Sequence, residues 1–213
     1  MNYLTQEIVF PNVAMATEDG LLAVGGNLSS QRLIEAYKHG IFPWFENEEP
    51  ILWWSPDPRF VLFPEKLKVS KSMKQILRNG DYKVTINKAF EYVIKQCAGT
   101  KREGQAGTWI TKNMISAYIR LHELGYAKSV EVWKQNTLVA GLYGVDLGNN
   151  VFCGESMFTT EPNASKVGFI SFIQNSNYKF IDCQVYTRHL ESLGAEEISR
   201  NRFLKLLNDK NHI

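Results

Sequence analysis

An α+β fold, built on a mostly antiparallel sheet flanked by helices and preceded by a small N-terminal unit, is the class this 213-residue sequence predicts. Three observations carry it. From about Arg59 onward, helical and strand periodicities alternate. Between residues 129 and 158, three strand patterns run almost consecutively with only turn signals between them, which suits antiparallel neighbours. Ahead of them, residues 41–60 hold four prolines, three tryptophans and three phenylalanines, a stretch no helix can use.

In chain order, GLLAVGGNL (20–28) is glycine-rich and apolar and leads into Ser29 and Ser30, candidate N-caps for the helix QRLIEAYKH, which Gly40 stops. The aromatic segment that follows reads as irregular; loops that keep their aromatics are commonly functional. RFVLF reads as a strand, KSMKQILRN as a helix ended by Gly80, YKVTIN as a strand and KAFEYVIKQCA as a helix. Thr111 can cap the helix KNMISAYIRLHEL, which ends at Gly125. SVEVWKQ, TLVAGLYGVDL and NVFCGESMF are the three strands, with Asn136 and Gly148-Asn149 as turns. The helix ASKVGFISFIQN, the strand FIDCQV, a short helix at RHLESLG and a terminal helix from Ser199 complete the order. A boundary near residues 57–60 divides the chain into 1–58 and 59–213.

Composition narrows the function classes. Hydrophobic residues make up 44% and charged residues 22%, as in ordinary soluble chains, and no apolar run approaches the roughly 18 residues a membrane span needs. The start, MNYLTQEIVF, lacks a secretory pattern, so a cytoplasmic protein without a membrane partner is expected. Cys97, Cys153 and Cys183 form no C-x-x-C pair and read as core fillers. His39, His122, His189 and His212 are scattered, and Tyr126 stands where an H-E-x-x-H motif from His122 would need its second histidine. The net charge is only +2, but Lys66, Lys68, Lys71, Lys74 and Arg78 crowd one segment, and Arg200, Arg202, Lys205 and Lys210 mark the last helix. Each cluster is either a solvated face or a phosphate-binding one.

Known nucleotide and nucleophile motifs are missing. GLLAVGG is not G-x-G-x-x-G, no Walker-type loop occurs, and no nucleophile elbow is evident. The informative residues are polar ones set in apolar strands. Glu155 interrupts VFCGESMF, and Asp182 and Gln184 interrupt FIDCQV. In an extended strand Phe180, Asp182, Gln184 and Tyr186 share one side, while Ile181, Cys183 and Val185 share the other. That polar face is either a satisfied pair at a strand end or a site. Trp44 in FPWF and Trp109 in GTWIT are loop tryptophans, able to stack on a base whatever its identity. Together with the basic clusters they suggest a nucleic-acid end or a nucleotide.

GLLAVGGNLS, HGIFPWF, ILWWSPDPRFVLFPE, GTWIT, RLHELG, SVEVW, FCGESMF, NASK, IDCQV and SLGAEEISR, in this order and spacing, resemble the leucyl/phenylalanyl-tRNA-protein transferase family from about residue 19 to about residue 208. The resemblance implies a small N-terminal domain followed by a GNAT-type acyltransferase domain. It implies transfer of Leu or Phe, with Met also expected, from aminoacyl-tRNA to the α-amino group of bacterial proteins that begin with Arg or Lys, marking them for degradation. By the same resemblance Asp182 and Gln184 are the catalytic pair, Glu155 is their polar partner, and Trp44 and Trp109 hold the terminal adenosine. Leu142, Phe152, Phe172 and Ile181 are then the pocket for the donor side chain. Lys66, Lys68, Lys71, Lys74 and Arg78 would meet tRNA phosphates.

An aminoacyl ester arrives activated, so no cofactor and no metal are expected, and aminoacyl-tRNA is a co-substrate. The attacking α-amino group has an ordinary pKa of about 7.7 to 8.0, so positioning can supply much of the rate. Gln184 is expected to accept from the amine through its oxygen while its amide nitrogen donates to Asp182; alternatively, Asp182 orients the acceptor or the terminal ribose. A cationic acceptor needs negative charge, for which Glu155 and Asp182 are the inward acids. A CoA-dependent acyltransferase on the same fold would need a glycine-rich pyrophosphate turn, where GESMFTTEPNASK offers only Gly154. A plain RNA-binding module leaves Asp182, Gln184 and Glu155 unexplained. A transferase of this size needs no partner subunit, and a monomer is expected.

Overall fold

Two sheets organise the chain. The computed structural model describes residues 1–46, 50–100 and 109–209. The smaller sheet comprises β1 (Asn2–Leu4), β2 (Leu21–Gly25), β3 (Phe42–Pro43) and β4 (Leu52–Trp54) in the order β1-β2-β4-β3. The aromatic stretch expected to be irregular thus contributes two short antiparallel strands, pairing Phe42 with Trp54 and Pro43 with Trp53. Proline cannot donate to a ladder, and β3 accordingly lies at the sheet edge. The indole of buried Trp53 donates to the Gly25 carbonyl at 2.9 Å, which ties β4 to the end of β2. Between β2 and β3 runs α1 (Ser30–Lys38), capped by the Ser29 hydroxyl accepting from the Arg32 N–H and ended by Gly40 at φ +70°.

The larger sheet has seven strands: β5 (Arg59–Leu62), β6 (Lys83–Ile86), β7 (Ala127–Lys134), β8 (Thr137–Asp146), β9 (Val151–Thr159), β10 (Phe180–Gln184) and β11 (Glu196–Ile198). They lie in the order β11-β5-β10-β9-β8-β7-β6, and every neighbouring pair is antiparallel except β9 and β10. The mostly antiparallel α+β class is what the chain forms. Among the described residues six helices accompany this sheet: α2 (Lys71–Asn79), α3 (Phe90–Gly99), α4 (Lys112–Glu123), α5 (Ala164–Gln174), α6 (Arg188–Ser192) and α7 (Arg200–Asn208). The Thr111 hydroxyl accepts from the N–H three residues on, as its position before α4 predicts, and the hydroxyls of Ser70 and Ser199 do the same before α2 and α7. The three-residue strands β1 and β11 escape sequence reading, because so short a segment carries no measurable period.

One hydrophobic core joins both sheets: Leu22, Tyr37 and Trp53 pack in the same cluster as Phe63, Val145, Phe180 and Phe203. A second cluster fills the opposite face of the larger sheet, where α5 and α2 lie over Val130, Val132, Leu142 and Ile181. The parallel strands β9 and β10 are linked by α5 and pair only from Phe180–Val151 to Asp182–Cys153. Beyond that point β9 stays with β8 while β10 turns away.

Two bulges flank this opening. On β9, Tyr143 faces Ser156 and Gly144 faces Gly154, so Glu155 is the extra residue. On β10, Asp182 faces Val61 and Gln184 faces Phe60, so Cys183 is the extra residue, and Gln184 itself stands at φ +64°. A bulge re-aims the side chains around it. Gly144 makes the first bulge possible, since a Cβ there would lie 2.2 Å from the Cys153 carbonyl oxygen and 2.5 Å from the Phe152 ring. Gly144→Ala is expected to lower stability by about 2 to 4 kcal/mol, more than ordinary overpacking because backbone must move. Urea denaturation checks this: the midpoint should fall with the slope unchanged.

Candidate active site

The splay between β9 and β10 opens into a cavity of about 440 Å³. Its apolar wall includes Leu142, Phe152, Met157, Phe169 and Ile181, and Trp44 and Trp109 line it as well. Leu142, Phe152 and Ile181, three of the four residues that the resemblance assigns to a donor pocket, therefore line one cavity. Phe172 does not line it. Its ring lies 4.8 Å from Phe152 in an edge-on contact, supporting the wall from behind. Helix α5 is buried around most of its circumference, so apolar character alone does not reveal that Phe169, and not Phe172, faces the cavity. Trp44 is 38% exposed, and its backbone carbonyl accepts from the Trp54 indole at 2.7 Å, while the two rings lie 5.8 Å apart.

Glu155 reaches the cavity from its bulge with its carboxylate nearly enclosed. It accepts from the Tyr37 hydroxyl at 2.7 Å, the Tyr118 hydroxyl at 3.0 Å and the Gln184 amide nitrogen at 2.6 Å. The two phenols also touch each other. Burial pushes the Glu155 carboxyl up to about 7, against the pull of these three hydrogen bonds. Burial likewise holds both phenols well above their ordinary range, so they remain donors. Tyr37 comes from α1 and Tyr118 from α4; in sequence both look like core positions of amphipathic helices.

Asp182 is placed differently from its expectation. It does not line the cavity, and the Gln184 side-chain nitrogen donates to Glu155 and not to it. Its carboxylate is held in a fork by Arg59, with Nε to Oδ1 at 2.8 Å and Nη2 to Oδ2 at 2.7 Å, and both side chains are 1% exposed. Oδ1 also accepts the Gln184 backbone N–H at 3.0 Å. The alternation that put Asp182 and Gln184 on one face fails because the bulge at Cys183 and the left-handed Gln184 intervene. Gln184 thus shares the cavity with Ile181, Cys183 and Val185. With its nitrogen committed to Glu155, its Oε1 is the group left to face a substrate.

The basic residues stay outside the cavity. Lys66, Lys68, Lys71, Lys74 and Arg78 are all exposed. Lys66 is held by the Glu196 carboxylate at 2.6 Å, while Lys71, Lys74 and Arg78 share one stripe of α2 at helical spacing. Arg200 donates to the Ser55 carbonyl at 2.6 Å, Arg202 lies over the Phe63 ring, and Lys210 falls outside the described residues. Among the described residues, no three His, Cys, Asp or Glu side chains are grouped to hold a metal ion, and no helix is long and apolar enough to cross a membrane.

The cavity lining also includes Cys183, the hydroxyl residues Ser156, Ser165 and Thr187, and His189. Its thiol, Cys183, is held far above the ordinary range by burial and by the neighbouring Asp182 charge, so it is no nucleophile. An apolar pocket beside a polarised carboxamide instead suits an acyl group that arrives activated and is passed directly to an incoming amine, which is the task of an aminoacyltransferase. The model of the Leucyl/phenylalanyl-tRNA protein transferase family matches residues 61–208, and that of the family's N-terminal domain matches residues 26–57. A leucyl/phenylalanyl-tRNA protein transferase of Flavobacterium psychrophilum is 57% identical over 210 residues, covering 97% of this chain and 99% of that one. Its namesake in Flavobacterium johnsoniae is 56% identical over 213 residues, covering 99% and 100%. The chain belongs to this family.

Proposed function

We propose that the enzyme transfers Leu or Phe, and also Met, from the terminal adenosine of an aminoacyl-tRNA to the α-amino group of a protein beginning with Arg or Lys, marking it for degradation. The charge pattern of the cavity carries this reading. Asp182 is balanced by Arg59, so Glu155 is the one cavity-lining carboxylate without a cationic partner among the described residues, and it stands beside an apolar wall. The wall suits an apolar donor side chain, and the carboxylate suits a cationic acceptor.

In this reaction the amine nitrogen attacks the ester carbonyl carbon, a C–N bond forms, and the bond to the tRNA ribose oxygen breaks. The released ribose oxygen takes up the proton that the nitrogen loses. Gln184 Oε1 accepts a hydrogen bond from the amine and aligns it, while Nε2 is anchored on Glu155. An activated ester requires neither a cofactor nor a metal. Donor choice is coarse, because one methylene in an apolar pocket is worth only about 1 to 3 kcal/mol. Trp44 and Trp109 supply the platform for the terminal adenine, and the exposed charges of α2, with Lys66 and Lys68, meet the tRNA backbone in a salt-sensitive way. The reading places the enzyme in the cytoplasm as a monomer.

The test is to incubate purified protein with Phe-tRNA, and separately with acetyl-CoA, each with an Arg-initiated peptide. A gain of one Phe residue is expected from the first mixture only; an acetylated peptide, or no added mass with charged tRNA, overturns the reading. Trp109→Ala is expected to weaken Phe-tRNA binding by roughly 5- to 150-fold, the equivalent of about 1 to 3 kcal/mol for a stacked base. Filter binding measures it, and kcat at saturating tRNA should change little.

A further inference from the structure

Arg59 opens β5 and is buried where a guanidinium has no contact with the cavity. Its carbon lies 4.8 Å from the Phe42 ring centroid and 4.6 Å from that of Phe203, so the plane is gripped between β3 of the small sheet and α7. Its fork holds both oxygens of Asp182, and Asp182 in turn holds the Gln184 N–H. That N–H belongs to a residue at φ +64°, a conformation that a glutamine adopts only when its surroundings enforce it. The same turn, following the bulge at Cys183, brings the Gln184 side chain into the cavity. Phe42 itself lines the cavity and leads through Pro43 to Trp44.

A buried ion pair is a poor device for stability alone, since well-packed apolar residues commonly replace one without loss. Arg59 Nη1, moreover, is buried with no hydrogen-bond partner among the described residues. Retaining such a group calls for another reason. We propose that Arg59 is a positioning residue for the transfer step: gripped between Phe42 and Phe203, it holds, through Asp182, the left-handed turn that presents the Gln184 carboxamide. Asp182 then acts on the reaction through the backbone of Gln184 and not as a base. This inference rests on the aminoacyl transfer proposed above.

The experiment compares single-turnover and steady-state Phe transfer from Phe-tRNA to an Arg-initiated peptide in five proteins: wild type, Arg59→Lys, Arg59→Met/Asp182→Leu, Gln184→Ala, and Arg59→Lys in the Gln184→Ala background. Wild type must transfer Phe; if it does not, the functional reading fails first. With wild type active, kcat is expected to fall by about 100-fold in the apolar double variant, while the KM for Phe-tRNA stays within about three-fold. Arg59→Lys keeps one hydrogen bond without the fork and should fall between. In the Gln184→Ala background the lysine substitution should cost nothing further, because its whole effect passes through the missing carboxamide. A near-normal kcat in the apolar double variant overturns the proposal, as does an undiminished Arg59→Lys effect without Gln184. Failure of both Arg59 variants to fold overturns it as well, since the pair would then be required for the fold and not for the turn.

Discussion

Gln184→Ala is expected to lower kcat for Phe transfer by about 100-fold or more, while the KM for Phe-tRNA moves by less than about three-fold. Gln184 Oε1 is the acceptor that the hydrogen-bond network leaves facing the cavity, because Nε2 is bound to Glu155. Its contribution lies in holding the amine lone pair toward the ester carbon, and a misaligned nucleophile loses rate without losing ground-state binding. The tryptophan platform and the apolar wall are untouched by the change, so donor affinity should survive. Gln184→Glu sharpens the test. A second carboxylate beside Glu155 would repel it and break the anchor, so this variant should be no more active than the alanine one. A kcat near that of wild type in Gln184→Ala would show that the carboxamide does not align the amine.

Glu155→Gln should change both acceptor use and the pH profile. Wild-type kcat/KM for an Arg-initiated peptide is expected to rise through about pH 7 as Glu155 ionises, overlapping the ionisation of the amine near 7.7 to 8.0. The variant keeps only the limb that belongs to the amine. Its acceptor KM should rise by about ten-fold, the loss of roughly 1.4 kcal/mol of attraction to a cation, and its affinity for Phe-tRNA should fall less. Greater damage to tRNA binding than to acceptor use would reverse the assignment.

Stability offers an independent readout of the same carboxyl. The folded-state value near 7 lies above the ordinary 4.5, so the folded chain keeps a proton that the unfolded chain releases. The corresponding stabilisation is complete below about pH 4.5 and is lost as pH rises to about 7, a change on the order of 3 kcal/mol. Glu155→Gln removes this dependence. Relative to wild type, it should therefore be more stable at pH 8 than at pH 5, and comparing the two differences in urea cancels the hydrogen bonds lost in both.

Much of this molecule is legible from its chain. Helix boundaries follow Ser29, Thr111 and Ser199 at the starts and Gly40, Gly80 and Gly125 at the ends, because caps and left-handed stops are local chemistry. The resemblance motifs located Gln184, Glu155, Trp44 and Trp109 and three of the four expected pocket residues, all of which line one cavity. Short-range pattern, however, assumes an unbroken period of two along a strand. Bulges at Glu155 and Cys183 break it, and they arise from the pairing of β9 with β8 and of β10 with β5. Asp182 therefore turns toward Arg59 and away from the cavity, and the Gln184 side-chain nitrogen donates to Glu155 where the expected relay has it donate to Asp182.

By itself the sequence determined the α+β class, the order of the helices and longer strands, the family and the identity of most side chains around the cavity. The tertiary structure alone decided who holds whom: Tyr37 and Tyr118 on Glu155, Glu155 on Gln184, and Arg59 on Asp182 between two aromatic rings. Those partners lie from 29 to 123 residues apart along the chain, and a hydrogen bond depends on distance and direction in space, which residue spacing does not encode once strands cross over and bulge.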